Sequence, residues 1–215
     1  MGTISSNKLG GICLIVGPLM ATVLFVLFFV ILSDSSLDKT DFSAVATDVA
    51  SAHTIQQILL LLPPIGLVLT IYGLSVLYGI MRNDGNGEAL FRLGLFMFGV
   101  DVIGTVIVFG LHQAIGWIGA EAANIAASSS AISLYAGMIG ATGVMLISLA
   151  LSSRDEFNKI FAYTVALVFL ISVLVHIVAI VDTSQWTITE PLIGVSYIIV
   201  SIWSITIGLN LFKRA

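Results

Sequence analysis

The run Leu24-Phe25-Val26-Leu27-Phe28-Phe29-Val30 has no polar side chain at any position. A strand of a membrane barrel alternates apolar and polar residues, because one face meets lipid and the other a lumen. A segment apolar on every side has no such face to give, so within a bilayer it must satisfy its backbone internally, as a helix. The same reading extends outward to Leu9–Leu32, and five further stretches share it: Ile55–Met81, Leu93–Ile118, Ala131–Ser152, Ile160–Val181 and Pro191–Phe212. Each reaches the roughly 20 residues that a hydrocarbon core about 30 Å thick demands of a helix. The whole chain, residues 1–215, is expected to be one transmembrane domain: all-α, a polytopic bundle of six transmembrane helices.

Composition excludes the alternatives. Hydrophobic residues make up 58% of the 215 positions and charged residues 9%, against about 25% charged in soluble domains. Eight Lys/Arg and twelve Asp/Glu cannot coat a water-facing surface of this size. The net charge of −4 leaves no basic face for phosphates, so no nucleic-acid partner is expected. The single cysteine, Cys13, permits no internal disulfide. The first apolar run is too long for a secretory signal core of about 7–15 residues, so it is expected to stay as a helix.

Positive charge sets the expected orientation. With the N-terminus in the cytoplasm, six crossings put Lys8, Arg82, Arg92, Arg154, Lys159, Lys213 and Arg214 inside and leave Lys39 alone outside. Asp34, Asp38, Asp41, Asp48, Glu121, Asp182 and Glu190 fall outside. Insertion follows the Lys/Arg bias near helix ends, so both termini are expected in the cytoplasm, in the plasma (cytoplasmic) membrane. Between spans one and two, Phe42, Val45, Val49 and Ala52 recur at helical spacing within 33–54. This predicts a short extracytoplasmic amphipathic helix, lying on the membrane or extending the second span upward.

Four groups of residues carry candidate chemistry. Along the third span Gly94, Asp101, Thr105, His112, Gly116 and Gly119 fall within about 60° at helical pitch. An ionised carboxylate in the bilayer costs at least about 2.5–3.5 kcal/mol, so Asp101 is expected to face the bundle interior. There it serves as a proton- or cation-coupling group or as a neutral hydrogen-bonding acid. Pro63-Pro64 removes two backbone donors and predicts a kink of the kind that lines transporter sites. His112 and His176 are expected at similar depth near the outer ends of spans three and five, with His53 just before span two. Two imidazoles suit a b-type haem and three suit a copper or zinc ion, although no His-x-x-His, His-x-x-x-His or Glu-x-x-His pair is present. Hydrogen bonding within the bundle, with no cofactor, is the simpler role for each. Small-residue seams form the fourth group: Ser133, Gly137, Gly140, Ala141 and Ser148; Gly194, Ser201, Ser204 and Gly208; Gly66, Thr70 and Gly73. Such seams let helices approach closely, within one bundle or against other membrane subunits or a second copy.

Asn7-Lys8-Leu9-Gly10-Gly11, Phe91-Arg92, Ile202-Trp203 and Lys213-Arg214 resemble a prokaryotic multi-pass membrane family known as a domain of unknown function. That resemblance covers topology and loosely matched apolar positions over the chain, and it implies no activity. Nucleotide-binding, nucleophile-elbow and His-Glu-x-x-His motifs are missing, and no Lys lies within a span. Without them the expected role is a non-catalytic accessory or structural subunit of a larger membrane assembly. The alternatives are a small proton- or cation-coupled carrier or channel using Asp101 and the Pro63-Pro64 kink, and a redox protein using His112 and His176.

Overall fold

Uniformly apolar segments leave the backbone no partner but itself, and helices result. The computed structural model describes residues 4–26, 37–51, 54–82 and 85–214. Among them are eight α-helices and no strand: α1 Ser6–Val26, α2 Phe42–Ala50, α3 Thr54–Leu59, α4 Leu62–Met81, α5 Glu88–Ile118, α6 Ala123–Ser152, α7 Lys159–Val181 and α8 Trp186–Lys213. Six stretches are long and apolar enough to cross a bilayer: most of α1, α4 with the end of α3, and each of α5 to α8. Residues 27–32 of the expected first span, Asp34 and His53 lie outside the described residues.

Three helices run further than their apolar stretches. α5 begins at Glu88, α6 at Ala123 and α8 at Trp186. Hydropathy ends where Ser and Ala clusters begin, but those residues still propagate a helix. The extra turns of α6 are covered: Ala122 and Ala126 pack with Ile115, Ala46 and Val49 in a small apolar cluster under α2. α2 is held at its start by Asp41, whose carboxylate accepts from the Ser43 and Ala44 amides. It sits across the ends of α5 and α6 instead of extending the second span.

Pro63 and Pro64 do not bend a continuous helix. They stand in the first turn of α4, where amide donors have no intrahelical partner in any case. The chain turns at Leu60-Leu61 between α3 and α4, with the Leu61 amide donating to the Ile58 carbonyl at 3.1 Å. The disturbance expected from the proline pair lies one turn earlier, as a two-residue turn in which Leu61 keeps right-handed helical dihedrals.

Close contacts fix the order of the six long helices. α1 packs on α4, α4 on α5, α5 on α6, α6 on α7, α7 on α8, and α8 returns to α1. They form a closed ring in chain order. On the α5–α6 seam Gly94 abuts Gly143, Asp101 abuts Gly140, Gly104 abuts Ala136 and His112 meets Ser129. The numbers rise on one helix as they fall on the other, which makes the pair antiparallel. Gly17 against Gly66 and Gly11 against Gly208 bring α4 and α8 onto α1 in the same way. The seams read from the sequence are thus used largely inside the ring.

The ring has unlike ends. One collects Lys8, Arg82, Arg92, Arg154, Lys159, Lys213 and Arg214, with Glu156 bridging Arg154 at 3.6 Å and Arg214 at 3.4 Å. The other carries Asp38, Asp41, Asp48, Glu121, Asp182 and Glu190, with Lys39 among them. Just inside the basic end the interior is solid: Leu77, Met81, Phe91, Ile147, Leu151 and Leu211 are each at most 2% exposed. Outward-facing apolar side chains such as Phe96, Ile103, Leu167 and Ile202 are more than half exposed, the surface an integral membrane protein offers to lipid.

Candidate functional site

The acidic half of the ring is not solid. A cavity of about 240 Å³ runs down its axis, lined by every long helix and by α2. Lys39, Asp48, Trp186 and Glu190 stand at its mouth, and Leu74, Ile147, Phe169 and Ile207 close its floor. Most of the wall is apolar, with Phe98, Phe109, Trp203 and Tyr197 contributing rings.

Asp101 lies on this wall and is 4% exposed. Its helical face is the one expected, and Thr105, one turn later, is its side-chain hydrogen-bond partner. Room for the carboxyl group comes from α6: a Cβ on Gly140 would strike the Asp101 side chain directly. From α8, Tyr197 lies within electrostatic range of the same group. Among the described residues no Lys or Arg lines the cavity at that level, since Lys39 is at the mouth and faces Glu190.

His176 on α7 is 3% exposed and also lines the cavity. Its Nδ1–H donates to the Ser172 carbonyl at 2.7 Å, which leaves Nε2 as the unprotonated nitrogen. That nitrogen lies where a Cβ of Gly137 would be. His112 is fixed likewise. Its Nδ1–H donates to the Val108 carbonyl at 2.9 Å, with Ser129 Oγ 3.1 Å away as a second acceptor. Both imidazoles present an acceptor nitrogen, not a donor.

The two histidines are not level. His112 meets α6 at Ser129 and His176 meets it at Gly137, eight residues further on. At about 1.5 Å per residue their offset is about 12 Å. A metal about 2 Å from each nitrogen would need them about 4 Å apart. The pair therefore does not flank one haem iron, which corrects the expectation of similar depth. The ends of α5 and α7 fall where expected, at Ile118 and Val181, but α5 and α6 reach further toward the acidic end than α7, so equal distance from a helix end is not equal depth. Among the described residues no group of three or more His, Cys, Asp or Glu side chains is placed to hold a metal ion.

Pro63 is buried on the cavity wall, and so is Pro18 of α1, which the sequence reading passed over. A proline frees the carbonyl four residues earlier. For Pro18 that is Leu14, and the Ser204 hydroxyl of α8 donates to it at 3.0 Å. Sequence reasoning also missed Tyr197 and Ser129 as site residues, and it considered Glu190 only beside Asp182 and Glu121 as an acid near a three-histidine metal site. Only the order of helices around the ring brings them to the cavity.

Comparison of the chain with protein-family models, with curated proteins and with solved structures gave no match. Function must therefore be argued from these residues.

Proposed function

We propose that the chain is a small proton-coupled carrier of the cytoplasmic membrane, with both termini in the cytoplasm. In this reading the cavity faces the extracytoplasmic side, and Asp101 is the coupling group. One observation carries it: a buried carboxyl group stands in a cavity whose lining reaches charged residues at the acidic end of the ring, while packed apolar side chains fill the basic end. The charge asymmetry of the two ends supports the orientation. Pro18 inside α1, which leaves the Leu14 carbonyl without its intrahelical donor, and the turn at Leu60-Leu61 ahead of α4 supply the weak points on which alternating access turns.

Asp101 works in this scheme through the cost of its charge. The group is removed from water among largely apolar side chains, with Thr105 as its partner, so an unpaired charge there is costly. A solute that brings compensating charge or donors allows it to ionise, so occupancy and proton release are linked. The accessory-subunit reading loses part of its support, since most of the seams that helped to motivate it, though not Gly194, are occupied within the ring.

The test is a pH gradient across proteoliposomes containing the purified protein, challenged with a panel of amines, amino acids, sugars and carboxylates. At least one class should dissipate the gradient with wild type and fail to do so with Asp101→Asn. Dissipation that is unchanged in Asp101→Asn, or that no class provokes, rejects the proposal.

A further inference from the structure

The carrier reading leaves the solute unnamed, and the cavity wall constrains it. The titratable groups lining the cavity are Asp101 and His112 from α5, His176 from α7, Glu190 and Tyr197 from α8, Asp48 from α2 and Lys39 ahead of α2. None of those described comes from α1, α4 or α6. Every one except Lys39 is an acid, a phenol or an imidazole whose unprotonated nitrogen accepts. An anionic solute would find no cation below the mouth and would meet Asp101. A solute bearing N–H donors and positive charge would find acceptors all the way down.

Shape narrows the class further. The walls are mostly apolar, with Phe98, Phe169 and Trp203 near the floor, Phe109 beside His112 higher up and Trp186 at the mouth. Inorganic cations of this charge need several oxygen ligands, whereas Asp101 and Thr105 are the oxygen donors that pair at its level. The volume of about 240 Å³ holds roughly eight water-sized groups at about 30 Å³ each. An apolar body of that size desolvates well here, and aromatic faces favour a cation.

We infer that the solute is a small organic ammonium ion with an apolar body, whose nitrogen pairs with the Asp101 carboxylate and displaces its proton. The exchange balances: R–NH3+ and protein–COOH become an R–NH3+/–COO− pair, and one H+ leaves through the mouth. Glu190 and Asp48 attract the cation to the entrance, and the Nε2 atom of His176, close to Asp101 along α6, accepts a second N–H. This rests on the carrier reading for its purpose but not for its measurement.

The probe is benzylammonium, titrated calorimetrically at pH 7 into the full chain in nanodiscs, with benzyl alcohol and benzoate as neutral and anionic counterparts. Two buffers of different ionisation heat count the protons released. Benzylammonium should bind about tenfold or more tightly than either counterpart, with about one proton released per cation. Asp101→Asn should lose that preference and release none. The proton count on wild type stands even where the variant folds poorly. Equal binding of benzoate or benzyl alcohol, binding without proton release, or no binding of benzylammonium overturns the inference. A gradient dissipated through Asp101 by sugars or carboxylates alone would keep the carrier and reject the ammonium class. Benzylammonium bound with proton release but never moved across the bilayer would keep the class and reject the carrier.

Discussion

Gly140 lacks a side chain where Asp101 needs the space, and Gly137 does the same for His176. These are packing glycines, not turn glycines. Gly140→Ala should force the Asp101 carboxyl off its wall and destabilise the fold by about 1–3 kcal/mol, the usual cost of overfilling a packed site. Gly79→Ala is the control, because a Cβ there meets nothing within 4 Å and gains helix propensity of up to about 1 kcal/mol. Thermal unfolding in micelles separates the two; equal behaviour would mean that the Asp101–Gly140 contact carries no strain. Half of this pairing was legible in the sequence. Helical pitch alone sorted Asp101, Thr105 and His112 onto one face, since that requires only a regular α5. Their partners were not legible, because Gly137, Gly140, Ser129 and Tyr197 sit on other helices and a single sequence does not state which faces meet.

At the scale of elements, the breaks matter more than the spans. Pro18 interrupts the bonding of α1, and Ser204 of α8 repairs it by donating to the Leu14 carbonyl. Ser204→Ala should cost about 1–3 kcal/mol, the penalty for a buried polar group left unsatisfied. In a Pro18→Ala background, residue 18 regains an amide that can serve that carbonyl, and the same change should cost clearly less. Additive effects in this double-mutant cycle would show that the two are not coupled. The corner between α7 and α8 gives a second prediction. The Asp182 carboxylate accepts from the Ser184 amide at 3.1 Å and the Ser184 hydroxyl at 2.6 Å, and these bonds, with Gln185, hold it below the usual carboxylate range. A depressed acid stabilises the fold above its unfolded value of about 3.9, and that stability is lost as pH falls through the lower folded value. The Ser184 amide resonance should therefore titrate below about pH 3.9; a midpoint above that value would remove the cap. Pro63-Pro64 announced a disturbance in the sequence, but not its form. Whether a proline pair bends a helix or starts a new one depends on whether the preceding carbonyls find other partners, and that is decided by the neighbours.

For the molecule as a whole, orientation and access are one question. If the acidic end faces outward, a polar reagent reaches the upper cavity only from outside, because Leu77, Met81, Phe91, Ile147, Leu151 and Leu211 fill the other end. Six apolar helices were legible because lipid imposes the same demand on every residue of a span. The cavity was not, because a hollow ring and a filled bundle require the same apolar content and differ only in how faces are turned. Cysteine labelling tests both halves at once. In a Cys13→Ser background, which removes a buried thiol, Ser133→Cys puts a thiol on the cavity wall. Ser148→Cys puts one at a site with no exposure, where the native hydroxyl donates to the Val144 carbonyl at 2.7 Å. A membrane-impermeant thiol reagent added outside intact cells should modify Ser133→Cys and leave Ser148→Cys untouched. Applied to inverted vesicles, it should modify neither, because from that side the apolar plug lies between reagent and thiol. Preincubation with benzylammonium should slow the outside reaction at Ser133→Cys if the cation occupies the cavity. Labelling of Ser133→Cys from the cytoplasmic side alone would invert the assigned orientation. Equal labelling from both sides would mean that the plug does not seal, and the ring would then be a channel in place of a carrier.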